Sequence, residues 1–282
     1  MQKSNGIDKV YLLHNCPLCS SYNIYLVNRK NYSVGICREC FSLLSFKIDK
    51  QNNVYDEKYY LNNYVKIKTK SVNKFDLLIR KYFSNENRTI LDYGAGTGDF
   101  AAKISNINNK NIIVYDQSAA ARNFLEHRFS KNPSVKVVTD VNEKYFDDIC
   151  MFDVIAHVDD PQELLIDLTL TNLKPCGRVF VRTPIVNKMT ALLILSLSKL
   201  SFGKLDGVLF NYKTRSFIAS RMGIESLFHS VDLNIHDFYY DQDPVRMSAH
   251  VSIKNLISFV LKRFLFLVNK KNSIVHTLKF RK

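Results

Sequence analysis

The stretch that most constrains the fold is the glycine-rich segment "LDYGAGTGDF", residues 91–100. It places Gly94, Gly96 and Gly98 at single-residue spacings between an apolar run and a segment with helical character. Glycine permits backbone angles that other residues avoid, and it lets a ligand approach the main chain closely. A strand, a tight glycine turn and a helix in this order predict a loop that holds a nucleotide-like ligand.

The chain around this loop alternates apolar runs with amphipathic segments. Helices are predicted from Phe75 to about Ser84, over 119–129, from Pro161 onward and over 214–228. The predicted strands are "RTILDYG", "NIIVYD", "SVKVVTD", "FDVIA" and "GRVFVRTP", with "NIHDFYY" and "SAHVSI" as a closing pair. This order predicts an α/β fold with a Rossmann-like, doubly wound, mostly parallel seven-stranded sheet.

Four of the six cysteines form two close pairs, Cys16-x2-Cys19 and Cys37-x2-Cys40. Two such pairs are typical of a zinc site, because each forms a tight knuckle that offers two thiolates to a tetrahedral ion. The runs "YNIYLV" and "YSVGIC" between the pairs predict two short strands, and therefore a small zinc ribbon. Two disulfides are the alternative, which a reducing compartment disfavours. With four protein ligands, the predicted zinc is structural and not catalytic.

Several motifs together resemble the class I S-adenosylmethionine-dependent methyltransferases. The loop reads Asp92-x-Gly94-x-Gly96-x-Gly98, whereas a dinucleotide fingerprint has two residues before its third glycine. The stretch from "FDVI" to "VFVRTP" is similar to the family's fourth strand, helix and fifth strand, including its Leu-Lys-Pro-x-Gly turn. A Rossmann fold that binds NAD is the alternative.

The resemblance implies a cofactor site at the carboxyl ends of the strands. Asp116 matches the acid that accepts hydrogen bonds from both ribose hydroxyls, and Asp140 matches the acid that receives the adenine amino group. Asp92 matches the residue that orients the methionine end. A helix cap at Asp116 and a turn at Asp140 are the alternatives for each residue alone. The implied cofactor-binding residues are Asp92, Gly94, Ala95, Gly96, Gly98, Asp116, Gln117, Asp140 and Val141.

Two residues are candidates for catalysis. If "FDVIA" is the fourth strand, the chain continues through His157 directly to Pro161, and this loop is shorter than the family's. His157 then remains as the candidate general base, with a histidine bonded to a neighbouring loop as the alternative. Tyr212 lies where relatives carry an aromatic residue or a histidine, and simple packing is the alternative there.

The acceptor class is less constrained than the cofactor. A cysteine-pair module before such a domain resembles the sugar methyltransferases of deoxysugar and cell-surface polysaccharide pathways. Their C-methylating members carry a further C-terminal domain that this length does not accommodate, so O- or N-methyl transfer to a sugar nucleotide, glycan or glycolipid intermediate is favoured. An RNA methyltransferase is the second hypothesis and suits the net charge of +14. A protein that binds the cofactor without catalysis is the third.

The positive charge is concentrated near the C-terminus. Nine Lys or Arg and no Asp or Glu lie between Pro244 and Lys282, and residues 253–268 predict an amphipathic helix. This helix is expected to lie on an anionic membrane surface or to pack on the sheet or in a dimer. Without an evident signal or spanning segment, we expect a cytoplasmic protein, peripheral to the inner face of the membrane.

The predicted divisions are 1–50 (ribbon), 51–72 (connecting lid), 73–253 (methyltransferase domain) and 254–282 (basic extension); the oligomeric state is left open.

Overall fold

The structure is a computed structural model that describes most of the central chain. The described residues are 15–47, 75–84, 87–107, 110–141, 145–211, 214–241 and 273–280. The predicted connecting lid over 51–72, the helix over 253–268 and the candidate Tyr212 lie outside them.

Strands and helices alternate through the larger part of the chain. The strands are β1 Ile24–Asn28, β2 Tyr32–Cys37, β3 Leu43–Lys47, β4 Arg88–Tyr93, β5 Lys110–Tyr115, β6 Val135–Val137, β7 Phe146–Phe152, β8 Leu173–Pro184, β9 Phe217–Ile218, β10 Leu233–Asp241 and β11 Ser273–Phe280. The helices are α1 Asp76–Tyr82, α2 Asp99–Ile104, α3 Ala119–Phe129, α4 Pro161–Asp167, α5 Lys188–Leu200, α6 Asp206–Leu209 and α7 Arg221–Ser230.

The larger sheet has the strand order β10-β11-β8-β7-β4-β5-β6. Its five strands from β8 to β6 are parallel, while β11 pairs antiparallel with both β8 and β10. The central strands are apolar on both faces, as in Ile149, Cys150 and Met151 of β7, because helices or other segments cover each side. The α/β class and the parallel sheet predicted from the sequence are confirmed.

A buried ionic cluster fixes the amino-terminal edge of the parallel strands. The carboxylate of Asp148 on β7 is fully buried and accepts hydrogen bonds from Arg88 at 2.7 Å and from Arg178 at 2.7 and 3.0 Å. Arg88 begins β4 and Arg178 lies in β8, so one carboxylate joins three neighbouring strands. Because the glycine turn follows the opposite end of β4, this cluster stabilises the sheet away from the candidate site.

The cysteine-containing ribbon is packed into the main core. Strands β1, β2 and β3 form an antiparallel sheet, and β9, from far along the chain, adds to β3 as a fourth strand. The apolar cluster on one face of the larger sheet continues from Leu91 and Val181 through α7 to Leu18 and Leu44 of the ribbon. The ribbon is therefore structurally continuous with the larger α/β domain instead of forming a separate appendage.

The tip of the ribbon is anchored by a buried acid. Asp206 at the start of α6 is fully buried, and its Oδ2 accepts hydrogen bonds from Arg29 Nε at 3.2 Å and Tyr32 hydroxyl at 3.1 Å. The same Arg29 donates to the carbonyl oxygen and hydroxyl of Ser198 on α5 at 3.0 and 3.2 Å. The turn between β1 and β2 is thus held against α5 and α6.

The fourth parallel strand differs from the sequence prediction. The segment "FDVIA" was expected to be that strand, but the strand is β7, Phe146–Phe152, which lies directly before it. Residues Ile155–His157 instead form a 3-10 turn. The acidic pair Asp147-Asp148 interrupts the apolar pattern that is expected of a buried strand, so the sequence did not indicate this strand. Asp148 is nevertheless buried, because Arg88 and Arg178 pair with its carboxylate. The loop to α4 therefore runs from Asp153 to Asp160 and begins four residues earlier than predicted.

Two further elements near the C-terminus differ from the prediction. The helix expected over 214–228 begins only at Arg221, because residues 217–218 pair with the ribbon as β9. Among the described residues, β10 pairs with β11, and the predicted partner "SAHVSI" lies outside them. Residues 273–280, assigned to the basic extension, therefore complete the main sheet. Among the described helices, none has the length and hydropathy needed to cross a bilayer.

The buried Asp206 offers a test of the ribbon anchor. We expect Asp206→Ala to lower the free energy of unfolding by about 3 kcal/mol, because Arg29 and Tyr32 would lose a shared buried acceptor. Urea denaturation measures the loss. The matched control is Glu225→Ala, which removes an exposed ion pair with Arg221 and should cost less than about 0.5 kcal/mol. Equal losses in the two variants would contradict the anchor.

Candidate functional site

The glycine turn lies at the carboxyl end of β4. Gly94, Gly96 and Gly98 have φ of 70°, 57° and 73°, in the left-handed region that favours glycine. Tyr115 at the end of β5 accepts hydrogen bonds from the backbone N–H groups of Gly94 and Ala95 at 2.8 and 3.0 Å. The loop is thereby fixed to the neighbouring strand. A Cβ at Gly96 would meet no atom within 4 Å, so this position leaves space for a close ligand.

Asp92 is a buried acid beneath the glycine turn. Its side chain is almost fully buried, and its Oδ2 has no hydrogen-bond partner among the described residues. Burial raises the pKa of Asp92 to about 7, with smaller contributions from the charges of Asp116 and Asp99. An unpartnered buried carboxylate oxygen is costly unless a ligand satisfies it. The position therefore fits a ligand with a hydrogen-bond donor or a cationic group.

Asp116 follows β5 and faces the glycine turn. Its carboxylate accepts hydrogen bonds from the backbone N–H groups of Gly96 and Ser118, both at 2.9 Å. Burial raises the pKa of Asp116, and these two hydrogen bonds partly offset the effect. A carboxylate has about four lone-pair positions, so it can still accept bonds from a ligand's hydroxyl groups. The helix-cap alternative does not apply, since Ser118 caps α3 through its own side chain.

The remaining predicted cofactor residues follow β5 and β6, the next two strands after β4 in the sheet. Gln117 is exposed after Asp116, and its carbonyl accepts a hydrogen bond from Arg122. Asp140 is exposed after β6, the strand next to β5. Val141 is buried, and its carbonyl accepts a 2.7 Å hydrogen bond from the side chain of Asn172. The ends of β4, β5 and β6 thus carry the predicted residues along one edge.

His157 lies in the loop after β7, the other strand next to β4. The loop packs on the glycine turn, because a Cβ at Gly94 would lie 2.6 Å from Val154 Cγ2. His157 Nδ1 is 2.5 Å from the carbonyl oxygen of Thr214. A carbonyl only accepts, so Nδ1 carries a proton in this contact, and the lone pair is on Nε2 when the ring is neutral. This tautomer suits a general base.

An ion pair between β7 and β8 was missed by the sequence analysis. Asp153, just after β7, has a φ of 62° and accepts a 2.5 Å hydrogen bond from Arg182. The Arg182 side chain is almost completely buried, although it lies at the carboxyl end of the sheet. An arginine in the apolar run "VFVRTP" was the available signal. Its partner could not be identified, since Asp153 was assigned to a strand interior.

A second missed cation lies next to the His157 contact. The Nε of Arg215 is buried and has no hydrogen-bond partner among the described residues. Arg215 follows Thr214 directly, so it is adjacent in the chain to the residue that holds His157. No sequence signal distinguished it from the other basic residues.

The four paired cysteines form a compact cluster. Their sulfur atoms all lie within 4.8 Å of one another, with Cys16–Cys40 at 3.7 Å and Cys19–Cys37 at 3.6 Å. A tetrahedral zinc with Zn–S bonds of about 2.3 Å places its sulfurs roughly 3.8 Å apart, whereas a disulfide needs about 2.05 Å. Hydrogen bonds from Cys16 and Cys40 lower the pKa of Cys37, which favours a thiolate there. The cluster fits a structural zinc ion, and all four cysteines are free of disulfides.

Fold and site together are those of a methyltransferase domain. The family described as "Methyltransferase domain" matches residues 70–237, which is more than half of the chain. The chain therefore belongs to the methyltransferase domain family.

Similar proteins agree on the fold and differ in substrate. The tRNA U34 carboxymethyltransferase of Campylobacter hominis is 26% identical over 160 residues, 53% of this chain and 54% of the relative. The chain thus spans about half the length of this curated relative. The YcgJ protein from Bacillus subtilis has a TM-score of 0.56 at 12% identity, covering 74% of this chain and 99% of that one. A geranyl diphosphate methyltransferase solved with S-adenosylmethionine has a TM-score of 0.56 at 12% identity, covering 82% and 94%.

Asp92 makes the stability of the cofactor-free protein depend on pH. Because its pKa is raised from 3.8 to about 7, the folded state holds this proton more tightly than the unfolded state. This contribution is complete below about pH 4 and is lost as the pH rises through 7. We expect Asp92→Asn to gain stability relative to the wild type over that window, by on the order of 4 kcal/mol, in urea denaturation at several pH values.

Asp147→Asn is the matched control for this pH dependence. Burial alone would raise the pKa of Asp147, but hydrogen bonds from Thr89 and Lys174 lower it. Its stabilising contribution is therefore lost as the pH falls, the opposite sign to Asp92. If the difference in free energy of unfolding between Asp92→Asn and the wild type is the same at every pH, the raised pKa of Asp92 is contradicted.

The cysteine cluster predicts a bound metal. Protein purified without chelator is expected to contain one zinc per chain by elemental analysis. We expect Cys19→Ser to reduce the zinc content and the thermal stability, because one of four ligands is lost. Cys176→Ser, at an exposed cysteine outside the cluster, should change neither. Wild-type protein without stoichiometric zinc would contradict the assignment.

Proposed function

We propose that the protein transfers a methyl group from S-adenosylmethionine to an oxygen or nitrogen of a sugar nucleotide or of a cell-surface glycan or glycolipid intermediate. The observation that carries the proposal is the position of His157. Its loop packs on the glycine turn through Val154, and its Nδ1 contacts the carbonyl oxygen of Thr214. A candidate base thus lies in a loop that contacts the glycine turn on one side and Thr214, next to the ribbon, on the other.

The proposed cofactor-binding roles follow from the buried acids. Asp116, already fixed by two backbone N–H groups, would accept hydrogen bonds from the ribose hydroxyls. The orphaned Oδ2 of Asp92 would accept a hydrogen bond at the methionine end. Gly96 would let this ligand approach the backbone, and Asp140 and Val141 would line the adenine side. When bound, the cofactor supplies an electrophilic methyl group.

The protein's part in the reaction is proximity, alignment and proton removal. Methyl transfer is an in-line displacement, so holding the acceptor against the cofactor accounts for much of the rate. An acceptor hydroxyl must lose a proton, and Nε2 of His157 is the proposed base. Arg215 would bind a phosphate or other anionic group on the acceptor, because its buried Nε has no partner among the described residues. Such an anion is present in every sugar nucleotide.

The packing of the ribbon supports a small acceptor over a nucleic acid. A ribbon that reads RNA needs exposed cations, yet Arg29 is bound to Asp206 and Arg38 lies over the Tyr25 ring at 5.4 Å. Three of the four cluster cysteines are buried against the methyltransferase domain. Arg29 and three of the cysteines therefore serve intramolecular contacts, while Lys30 and Arg38 are exposed.

Methylation of tRNA is the second candidate function. It is favoured by the resemblance to the tRNA U34 carboxymethyltransferase and by the net charge of +14. Binding driven by phosphate contacts weakens steeply as salt increases. Nucleic acid that co-purifies at low salt and is lost at high salt would support this candidate. The non-catalytic alternative rested on a short loop after the fourth strand, and the described loop runs from Asp153 to Asp160.

The acceptor class can be tested with methyl-labelled cofactor. The protein is incubated with fractionated cell extract, and label is expected in the sugar-nucleotide, glycan or glycolipid fraction. His157→Gln should lower the initial rate by about 100-fold or more while affinity for S-adenosylhomocysteine is unchanged, because only the proposed base is lost.

The matched control for that variant is His229→Gln, at an exposed histidine in the last turn of α7. It should leave the labelling rate unchanged. Label confined to RNA, and released by ribonuclease, would overturn the proposed acceptor in favour of the second candidate.

A further inference from the structure

A short segment connects the ribbon to the His157 loop. Residues 214–219, here called the strap, run between α6 and α7 and include β9. On the ribbon side, β3 pairs with the strap through Leu43–Ile218 and Leu44–Phe217. Ser45 extends this pairing through its N–H, so the strap continues the ribbon sheet towards the candidate site.

Ser45 makes two hydrogen bonds to the strap backbone. Its N–H donates to the carbonyl oxygen of Ser216 at 2.8 Å. Its hydroxyl donates to the carbonyl oxygen of Arg215 at 2.5 Å. Both acceptors are main-chain atoms, so the last residues of β3 fix the path of the strap directly beside Thr214.

The opposite side of the strap holds the His157 loop by three hydrogen bonds. The Ser216 N–H donates to the carbonyl oxygen of Ala156 at 2.8 Å, and the Ser216 hydroxyl donates to Asp159 Oδ1 at 3.0 Å. Between these two positions, His157 Nδ1 donates to the carbonyl oxygen of Thr214 at 2.5 Å. The strap therefore restrains both the backbone of the loop and the imidazole ring.

The far end of the strap is tied to the cysteine cluster. Ser220 follows the strap, its N–H donates to the Ser42 hydroxyl at 2.9 Å, and its hydroxyl donates to the carbonyl oxygen of Cys40. In α7, Gly223 lies so close to Ser42 and Cys40 that a Cβ there would clash. The strap is thus bound to β3 at one end and to a zinc-ligand knuckle at the other.

We propose that the zinc ribbon positions the candidate base: the ribbon fixes the strap, and the strap fixes the orientation and tautomer of His157. Ser45 and Ser216 are positioning residues in this arrangement, since neither needs to touch the cofactor or the acceptor. The inference rests on the proposed function only for the catalytic use of His157. The coupling between ribbon and ring is a separate physical claim with its own readouts.

The first test uses Ser45→Ala, which removes one hydrogen bond within the ribbon–strap contact. The described hydrogen bonds of Ser45 end on Arg215 and Ser216 and not on His157, so an effect on the ring must pass through the strap. We expect amide hydrogen exchange of residues 155–159 to rise about five- to tenfold, as for the loss of one hydrogen bond. The spectrum of histidine labelled with ¹⁵N should show a reduced Nδ1–H tautomer population at His157, assigned with His157→Gln.

Ser216→Ala and Ser216→Thr complete the series. Ser216→Ala should raise exchange over 155–159 similarly, while Ser216→Thr, which keeps a hydroxyl, should restore most of the protection. The matched control is Ser226→Ala, which removes a 2.8 Å hydrogen bond to the Met222 carbonyl on α7 and should leave 155–159 unchanged. All variants should bind S-adenosylhomocysteine with wild-type affinity by calorimetry and should retain zinc.

Specific outcomes would overturn the inference. The first is that Ser45→Ala changes neither the His157 tautomer population nor the amide exchange of residues 155–159. The second is that exchange rises equally across the glycine turn at 94–98, which would indicate general destabilisation. Neither readout depends on methyl transfer, so failure of the coupling and failure of the proposed acceptor class are distinguishable.

Discussion

The contact between the cysteine knuckle and the start of α7 is the constraint on which the arrangement of the molecule depends. Gly223 allows Ser42 and Cys40 to approach the helix backbone, and Ser220 bonds both the knuckle and its own helix. The apolar cluster beneath the larger sheet passes through this contact into the ribbon. Because the contact is buried, the ribbon behaves as a part of the core and not as an attached module.

Buried carboxylates have two different roles along the two edges of the sheet. Asp148 and Asp206 are fully buried beside arginines, and each joins elements that are distant in sequence. Asp92 is also buried and, like Asp206 at its Oδ1, has an unpartnered oxygen, but no arginine pairs with it among the described residues, and its pKa is raised to about 7. A buried charge without a protein partner is expected at a site where a bound ligand neutralises it. This contrast separates the structural edge from the ligand-binding edge on electrostatic grounds.

The position of the ribbon also bears on the choice of acceptor. The ribbon contacts the segment that holds His157, so the ribbon acts on the proposed base through that segment. A module used in this way need not bind the acceptor itself. The same arrangement is compatible with relatives of this fold that act on very different molecules, since the fold alone does not select a substrate.

The sequence by itself determined the parallel α/β sheet, the glycine turn and the four clustered cysteines, because local spacing dictates these features. It misplaced the fourth strand, since an apolar pattern does not reveal that Asp148 is buried by two arginines. It also missed β9, the final strand β11 and the contact between Thr214 and His157, whose partners are far apart in the chain. Only tertiary structure decided these points, because pairing, burial and the tautomer of a histidine depend on which distant segments meet.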